Sequence, residues 1–360
     1  MSWFETHTED IINVGKLFNG GDFESAIVFL ETVEDPFCLA ALANEYVKVF
    51  VDKIQDYTQV YVYVDCSCSG TSIFNAWRKN LHGARLTNLV ETPEPADIYM
   101  EVWREMKRLA SDDLFPSYRI KKLEKSKLLR KMMKMGYVPA QYASPTNEQH
   151  KKLKDFNLEY LKPVGLAFKE EEMDEFCKLW DVALNKVSSI NTVISWFQAR
   201  IKEIVKQGKT EVRYTTPNGS VMTLKYPKMK LKKVRTFHYG SANYREVKVE
   251  EATLEINARK MSSAITANIT HATDAAALCA ALYNWDSPFV ALHDAVGMPP
   301  GKLVDIGSRR LKEGLVEATG YSVWDAFRLD NDLPLTPQSS PPIIGDLDLE
   351  DVLTSNYLFA

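Results

Sequence analysis

The sequence predicts an α+β protein that is largely helical and carries a small antiparallel sheet and a protruding β-hairpin. The segment at 174–208, DEFCKLWDVALNKVSSINTVISWFQARIKEIVKQG, has apolar residues at helical spacing over one or two long helices. The segment VYVYV at 60–64 alternates β-branched and aromatic residues, which is typical of a strand. An Asn-Gly pair at 218–219 lies between two alternating runs and predicts a hairpin turn.

The predicted elements follow in order along the chain. The first third contains two helices, the strand at 60–64, a glycine turn and two amphipathic helices. Residues 228–256 add two further strands to the hairpin, rich in lysine, arginine and aromatics. A helix of small residues, a short apolar strand and a Pro/Ser-rich linker complete the chain. The predicted helices lie at 22–33, 36–54, 71–80, 96–110 and 263–284, and the late strand lies at 289–293.

Composition excludes several classes of protein. The chain has 360 residues and a formal net charge of -4, so any nucleic-acid contact must come from local basic patches. No apolar run approaches the roughly 20 residues that span a bilayer, and the start MSWFETHTED lacks the features of a secretory signal. We therefore expect no membrane partner. Five scattered cysteines suit free thiols in a reducing cytosol, and Cys66 and Cys68 lack the second Cys/His pair of a zinc site.

Two aspartates occupy equivalent positions after strands. Asp65 ends the strand VYVYV, and Asp294 follows the strand FVALH. An aspartate at the tip of a buried strand is costly to desolvate unless it binds a cation or finds hydrogen-bond donors. Two such aspartates on adjacent strands can hold the two divalent ions of a phosphoryl-transfer site. The alternative is that each carboxylate caps the turn after its strand.

The dense basic segment at 118–142 contains a second candidate site. Arg130 and Lys134 are four residues apart and therefore share one helical face. They suit the phosphates of a nucleotide, because arginine offers a planar fork and lysine a compact charge. Tyr142 follows about two turns later and brings a ring for stacking on a base. The alternative is an ordinary solvated basic face.

Together these motifs resemble the signature set of the single-subunit, phage-type and mitochondrial-type DNA-directed RNA polymerases. DCSCSGTSIFNAWRKN at 65–80 resembles the first catalytic motif, Asp-Gly-Ser-Cys-Ser-Gly, and RKMMKMGYVPAQYAS at 130–144 resembles the fingers motif, Arg-x3-Lys-x7-Tyr-Gly-Ser. ALHDAVG at 291–297 resembles the second catalytic motif, His-Asp-Ser. The resemblance runs from about residue 30 to the end and implies the palm and fingers of a right-hand polymerase. The further matching stretches are EDPFCLAALANEY, ADIYMEVW, YTTPNG, NITHATDAAAL and GDLDLEDVLTSNYLFA.

The resemblance implies catalytic roles for six residues, which are Asp65, Asp294, Arg130, Lys134, Tyr142 and His271. Asp65 and Asp294 would hold two Mg2+ ions, and the backbone carbonyl of Cys66 would be a further metal ligand. Arg130 and Lys134 would bind the triphosphate of the incoming nucleotide. Oxygen ligands suit this ion, because Mg2+ keeps several waters and is completed by substrate phosphates.

It also implies residues that recognise sugar and DNA. Tyr142 and His271 would sense the ribose 2′-hydroxyl, and Tyr99 would lie near the same nucleotide pocket. The hairpin at about 212–250 would contact promoter DNA, with one basic face following a phosphate backbone. The residues expected at that face are Lys228, Lys230, Lys232, Lys233 and Arg235.

The sequence departs from the family pattern at several positions. Cys66 replaces a glycine, Ala295 a serine and Ala143 a glycine. Gly136 and Pro139 are expected to interrupt the fingers helix, because proline removes a backbone hydrogen bond and clashes with the preceding turn. A kink there would redirect the tyrosine that follows.

The family's long N-terminal promoter-binding region and its Asp-x-x-Gly-Arg motif are not found before Asp65. The chain is therefore most similar to the larger, catalytic chain of the split, heterodimeric middle-gene RNA polymerases of enquatrovirus-type bacteriophages. This resemblance implies a second polymerase chain supplying those parts, template DNA, nascent RNA, nucleoside triphosphates and a single-stranded DNA-binding helper, in the cytoplasm of the infected bacterial host. The helix at 23–30 is either part of the subunit contact or ordinary palm core.

The predicted function is that of a catalytic subunit that transfers ribonucleoside triphosphates onto RNA 3′ ends by a two-metal mechanism. The expected divisions are 1–82 (N-terminal helices and first palm strand), 83–270 (fingers) and 271–360 (palm with the second catalytic motif and the C-terminal foot). A palm-type DNA polymerase fragment and an inactive nucleic-acid-binding relic are the alternatives. Tyr142 with His271 favours ribonucleotides, and retention of the motif aspartates and cations argues against a relic.

Overall fold

The structure is a computed structural model, and the chain in it forms two compact units. The first contains Met1–Val64 and Trp285–Ile306, and the second contains Asp65–Asn284 and Gly307–Ala360. Asp65 is thus the residue at which the second unit begins. The described residues are 2–31, 36–58, 60–110, 117–188, 190–237, 244–292, 294–299, 302 and 309–359.

The first unit combines helices with a small sheet. Its elements are α1 (Ser2–Asn19), α2 (Phe23–Leu30), α3 (Pro36–Tyr46), β1 (Val62–Asp65), β6 (Val290–Leu292) and β7 (Ala295–Met298). The sheet has the order β1-β7-β6, and β6 pairs antiparallel with β7. The Asp22 carboxylate accepts a hydrogen bond from Ser25 N at 3.2 Å and starts α2. The helices bury a small apolar core formed by Ile11, Val14, Leu30, Leu39 and Ala43.

The second unit holds most of the helices and two β-ribbons. Its helices are α4 (Ser69–Trp77), α5 (Leu81–Leu86), α6 (Ile98–Leu109), α7 (Ser117–Glu124), α8 (Lys127–Gln141), α9 (Thr146–Phe156), α10 (Glu170–Ser188), α11 (Ile190–Lys206), α12 (Ala258–Leu282), α13 (Leu311–Gly320) and α14 (Val323–Asp330). Its strands are β2 (Val212–Thr215), β3 (Val221–Leu224), β4 (Pro227–Phe237) and β5 (Tyr244–Ile256). Asp97 caps α6, Ser126 caps α8 and Asn257 caps α12, each through a side-chain oxygen.

An aromatic cluster fixes α4 inside the second unit. Trp324 of α14 lies 4.8 Å from Trp196 and 5.7 Å from Phe197 of α11, measured between ring centroids. Trp324 Nε1 also donates to the backbone oxygen of Trp77 at 3.3 Å. Such ring pairs contribute about 0.5–1.5 kcal/mol each beyond the area they bury. Because α4 directly follows Asp65–Cys68, this cluster gives the first motif a rigid base.

Two antiparallel ribbons lie in the region of the predicted hairpin. β2 pairs with β3 in a register that sets Val212 opposite Leu224. Gly219 in the intervening turn has a φ of +81°, which glycine adopts without strain. β4 pairs with β5 in a separate two-stranded ribbon whose side chains are nearly all exposed.

Two local expectations are wrong. The strands before the two motif aspartates are not buried: only Val64 is buried in β1, and all three residues of β6 are exposed. The fingers helix is also uninterrupted, since α8 runs from Lys127 to Gln141 through Gly136 and Pro139. The functional divisions at 82 and 270 stay predictions. None of the described helices is both long and apolar enough to cross a lipid bilayer.

Candidate functional site

The turn after β1 is held by the C-terminal segment of the chain. Cys66 forms an isolated antiparallel bridge with Phe359, and Ser67 N donates to the Leu358 backbone oxygen at 2.7 Å. Cys68 has a φ of +50° and turns the backbone into α4. The direction of the backbone after Asp65 is therefore fixed by its pairing with the C-terminal segment.

A side-chain network supports the same turn from beneath. The amide Nδ2 of Asn88 donates to Ser67 Oγ at 2.9 Å, and Ser72 Oγ donates to the Ser67 backbone oxygen at 2.9 Å. Ser355 Oγ donates to the Asn88 backbone oxygen at 2.6 Å. Asn88 is buried and has a φ of +58°, a left-handed conformation that asparagine tolerates better than most residues.

Arg130 and Lys134 lie on the exposed face of α8, as the four-residue spacing predicts. Arg130 Nε donates to Asp97 Oδ2 at 2.5 Å, and the guanidinium carbon lies 5.4 Å from the centroid of the Tyr99 ring. The Arg130 side chain is still 57% exposed, so its Nη groups are available to a ligand. Lys134 makes no ion pair with any described residue and is exposed.

Tyr99 supports Arg130 from below. Only 8% of Tyr99 is exposed, and its ring meets the Tyr137 ring edge-on at 5.2 Å between centroids. Burial raises the pKa of the Tyr99 phenol. Tyr99 thus belongs to the wall that carries the arginine, with little of its own surface open to a ligand.

The end of α8 explains why the two suspected helix breakers are tolerated. Pro139 lies in the last turn, where Ser144 N donates to the Pro139 backbone oxygen at 3.0 Å as the chain leaves the helix. Gly136 faces the core: a Cβ at this position would lie 2.8 Å from Trp180 Cζ2 and 3.0 Å from Leu153 Cδ2. The glycine is therefore required by close helix packing, and the helix direction is preserved up to Gln141.

Tyr142 and His271 come together, as the resemblance implies. Tyr142 is the C-terminal cap of α8, and its ring centroid lies 4.8 Å from that of His271 on α12. Tyr142 is half-buried and His271 is exposed. One turn along α12, Asp274 accepts a hydrogen bond from Ser69 Oγ at 2.5 Å, which ties α12 to the start of α4.

Three further polar residues near the motifs are absent from the sequence prediction. Thr71 of α4 is hydrogen-bonded to both Tyr137 and Gln141 of α8, and all three residues are buried. One feature could have pointed to two of them, because Thr71 and Gln141 are polar residues at helix positions whose neighbours are buried. Only the tertiary structure shows that they face each other.

An open cavity of about 560 Å3 lies beside the segment that follows Tyr142. Lys202 and Arg259 give it two exposed cations, and neither makes an ion pair with a described residue. Among the described residues that line it, none carries a carboxylate. The uncharged polar lining residues are Ser144, Thr146, Gln149, Asn191, Ser195, Gln198, Ser262 and Ser263.

The two motif aspartates belong to different units. Asp65 is exposed at the start of the second unit, so the desolvation argument for a bound cation does not apply to it. Asp294 is half-buried in the first unit and directly precedes β7. Its neighbour in the second motif, His293, lies outside the described residues. Within the described ranges, no group of three or more His, Cys, Asp or Glu side chains forms a ready metal cluster.

The basic residues of β4 are divided between two faces of the ribbon. The register sets Lys230 opposite Glu251 and Lys233 opposite Lys248, and alternate residues of a strand point to opposite faces. Four of the five expected DNA contacts are paired with glutamates of β5. These pairs are Lys228–Glu255 (2.6 Å), Lys232–Glu251 (3.6 Å), Lys233–Glu246 (3.5 Å) and Arg235–Glu246 (3.7 Å).

Comparison with known proteins identifies the family. A family model described as DNA-dependent RNA polymerase matches residues 1–318. The chain belongs to the DNA-dependent RNA polymerases. Relatives in this family include a mitochondrial DNA-directed RNA polymerase of Arabidopsis thaliana, 25% identical over 100% of this chain and 37% of the relative. The DNA-directed RNA polymerase of Enterobacteria phage K11 is 23% identical over 91% of this chain and 42% of its own. That of Enterobacteria phage T3 is 23% identical over 100% of this chain and 46% of its own.

These relatives confirm the phage-type polymerase family that the motifs suggested. The chain spans less than half of the length of each of them. Cys66 and Ala143 each replace a glycine of the polymerase motifs, and the fold accommodates both replacements. Cys66 contributes its backbone to the pairing with Phe359, and Ala143 adopts a φ of +60° directly after the helix cap, a conformation that a glycine would hold with less strain.

Proposed function

We propose that this chain is the catalytic subunit of a phage DNA-directed RNA polymerase that adds ribonucleoside triphosphates to RNA 3′ ends. One observation carries the proposal. Within a single unit, the helix that bears Arg130 and Lys134 ends at the Tyr142–His271 ring pair. Cations that suit phosphates on one helix, and a ring pair that suits a sugar at the end of that helix, fit a nucleoside triphosphate.

The triphosphate would bind to the exposed face of α8. Arg130 is held by Asp97 through Nε, which leaves its Nη nitrogens free to form a bidentate contact with phosphate oxygens. Lys134, one turn further along, supplies a second positive charge. The Tyr99 ring beneath Arg130 restricts the guanidinium plane, so less side-chain entropy is lost when phosphate binds.

The ribose would lie against Tyr142 and His271. A tyrosine hydroxyl and a histidine ring can both hydrogen-bond a 2′-hydroxyl. A site that pairs with this hydroxyl rejects the deoxy analogue, because its polar groups are then left unsatisfied. This favours the RNA polymerase over the alternative of a DNA polymerase.

Two Mg2+ ions would be held by Asp65, Asp294 and the backbone carbonyl of Cys66. The donor set fits, since all three ligands are oxygens and Mg2+ prefers oxygen ligands completed by water and phosphate. When bound, such ions make the primer 3′-hydroxyl more acidic and neutralise the departing pyrophosphate.

The remaining roles fall to nucleic acids and a second chain. The cavity beside Tyr142 would accept the template strand, because its two cations suit a phosphodiester and its amides and hydroxyls suit base edges. The basic residues of β4 would contact promoter DNA. A second polymerase chain would supply the regions that the longer relatives have in addition, as in a heterodimer, and a single-stranded DNA-binding helper would assist duplex opening. The complex would act in the cytoplasm of the infected bacterium.

Primer extension on an RNA–DNA scaffold tests the proposal. The chain would be assayed alone and with proteins that co-purify from infected cells, using ribonucleotides and deoxyribonucleotides in parallel. We expect ribonucleotide addition that Asp294→Asn abolishes while scaffold binding persists. Arg130→Ala should lower kcat/KM at least tenfold, whereas the neighbouring exposed control Lys131→Ala should not, since Lys131 lies over the Tyr160 ring instead.

The outcomes separate the candidate functions. Preferential deoxyribonucleotide addition would indicate a DNA polymerase. Scaffold binding without addition under every condition would indicate a nucleic-acid-binding relic. Full activity of Asp294→Asn would rule out the two-metal assignment.

A further inference from the structure

A buried polar network joins the last turn of α8 to the first turn of α4. Thr71 and Tyr137 are fully buried, and Gln141 is 4% exposed. Thr71 Oγ1 lies 3.2 Å from the Tyr137 hydroxyl and 3.1 Å from Gln141 Oε1. Cys68 Sγ lies 3.5 Å from the same glutamine oxygen. The network therefore connects the helix that bears Arg130 with the turn that follows Asp65.

The donors and acceptors fix the direction of this network. The Gln141 carbonyl oxygen only accepts, so Thr71 gives its single hydroxyl proton to Gln141 and accepts one from Tyr137. Burial raises the pKa of the Tyr137 phenol well above its usual range. This phenol therefore keeps the proton that it donates. The Gln141 side-chain oxygen thus accepts hydrogen bonds from Thr71 of α4 and from Cys68, the N-cap residue of that helix.

Close packing surrounds the glutamine. A Cβ on Gly70 would lie 3.2 Å from Gln141 Cδ, closer than most van der Waals contacts. The absence of a side chain at Gly70 lets the amide reach over the start of α4. Losing this acceptor would leave the Thr71 hydroxyl and the Cys68 thiol without a hydrogen-bond partner. Because the site is buried, water would not replace the lost hydrogen bonds, and the folded state would be destabilised.

The same first turn of α4 also holds α12. Ser69 donates to Asp274 at 2.5 Å on α12, while Thr71 donates to Gln141 on α8. The two helices then meet again at the Tyr142–His271 ring pair. The distance between the Tyr142 and His271 rings therefore depends on two hydrogen bonds, which Ser69 and Thr71 donate from the same turn of α4.

We propose that Gln141 is a positioning residue for nucleotide selection. Its side-chain carbonyl sets the place of α8 relative to the catalytic turn, and it acts through its neighbour Tyr142 and touches no substrate. The inference rests on the proposed polymerase function. Within that function, the network controls the fit of the ribose between Tyr142 and His271.

The test compares Gln141→Met with Met133→Ala in the full chain with its activating proteins. Gln141→Met keeps side-chain length and removes the acceptor, whereas Met133 is a buried residue of the same helix that forms none of the hydrogen bonds of the network. Gln141→Met removes the acceptor of the Thr71 hydroxyl and the Cys68 thiol. We expect it to raise the KM for ribonucleotides about 2- to 10-fold and to lower the ribose-over-deoxyribose preference by a similar factor. At a matched loss of thermal stability, Met133→Ala should leave both quantities near the wild-type values.

A second pair of variants covers the case in which Gln141→Met does not fold. Thr71→Ser keeps the hydroxyl and should retain the wild-type preference, whereas Thr71→Val removes it and should reproduce the effect. Equal KM and preference in the Gln141 and Met133 variants, or in the two Thr71 variants, would overturn the inference while leaving the polymerase activity intact. A wild-type chain that adds no nucleotide would instead overturn the proposed function, and the inference with it.

Discussion

Lys312 is expected to be a stability determinant for the segment that holds the first motif. Its side chain is 8% exposed, and Nζ donates to the backbone oxygens of Leu353 and Ser355 at 3.0 Å each. Ser355 in turn donates to Asn88, which supports Ser67. Replacing Lys312 by methionine removes both donors while keeping the length and most of the packing of the side chain.

The magnitude follows from these contacts. A hydrogen bond from a charged group contributes about 1.5–3 kcal/mol, and part of this is offset because a buried ammonium costs desolvation free energy. We therefore expect Lys312→Met to lower the free energy of unfolding by about 2–4 kcal/mol. For a unit of this size, each kcal/mol shifts Tm by roughly 2–4 °C, so Tm should fall by about 10 °C.

Thermal unfolding monitored by circular dichroism would measure this change. Arg309→Met is the matched control, because Arg309, just before α13, forms an exposed ion pair with Glu313 and its side chain is 76% exposed. Exposed pairs of this kind contribute at most about 1 kcal/mol. If the two variants unfolded at the same temperature, the carbonyl contacts of Lys312 would carry no special weight and the reasoning would be refuted.

Further predictions concern the nucleotide site, helix packing and pH. Tyr142→Phe should lower the ribose-over-deoxyribose preference in primer extension with little change in kcat for ribonucleotides; unchanged preference would remove the sugar-sensing role. Asp97→Asn should raise the KM for nucleotides only about 2- to 5-fold, because the Arg130 pair is largely exposed, and Glu101→Gln on the same helix should have no effect. Gly136→Ala should destabilise the protein in a denaturant titration by about 1 kcal/mol or more, because overpacking against Trp180 outweighs the gain in helix propensity; a more stable variant would contradict this. Burial lowers the pKa of Lys312 from its ordinary 10.5, so the folded chain binds fewer protons than the unfolded chain just below that pH. The stability of the wild type relative to Lys312→Met should therefore grow as pH rises towards 10.5.

The local elements could be predicted from the sequence where one signal dominates. Helical spacing placed α6 and α12 within a few residues of their bounds, and the Asn-Gly pair placed the β2–β3 turn. The four-residue spacing of Arg130 and Lys134 put both on one exposed face. These features are set by residues that are close together in the sequence, so the amino-acid sequence alone is enough to predict them.

Tertiary partners could not be predicted in the same way. Pro139 predicted a kink, yet it lies in the final helical turn, where the missing N–H affects only the end of the ladder. Asp97 as the partner of Arg130, and Gln141 as the partner of Thr71, join residues 33 and 70 positions apart. No local pattern encodes which of many polar residues will meet across a helix interface.

The β4–β5 ribbon has a consequence for how nucleic acid could be bound. Its described strands carry seven basic side chains and four glutamates, and the cross-strand pairs already neutralise several of the cations. Binding of DNA by such a surface would release fewer counterions than the number of lysines alone implies, so its affinity would depend only weakly on salt concentration.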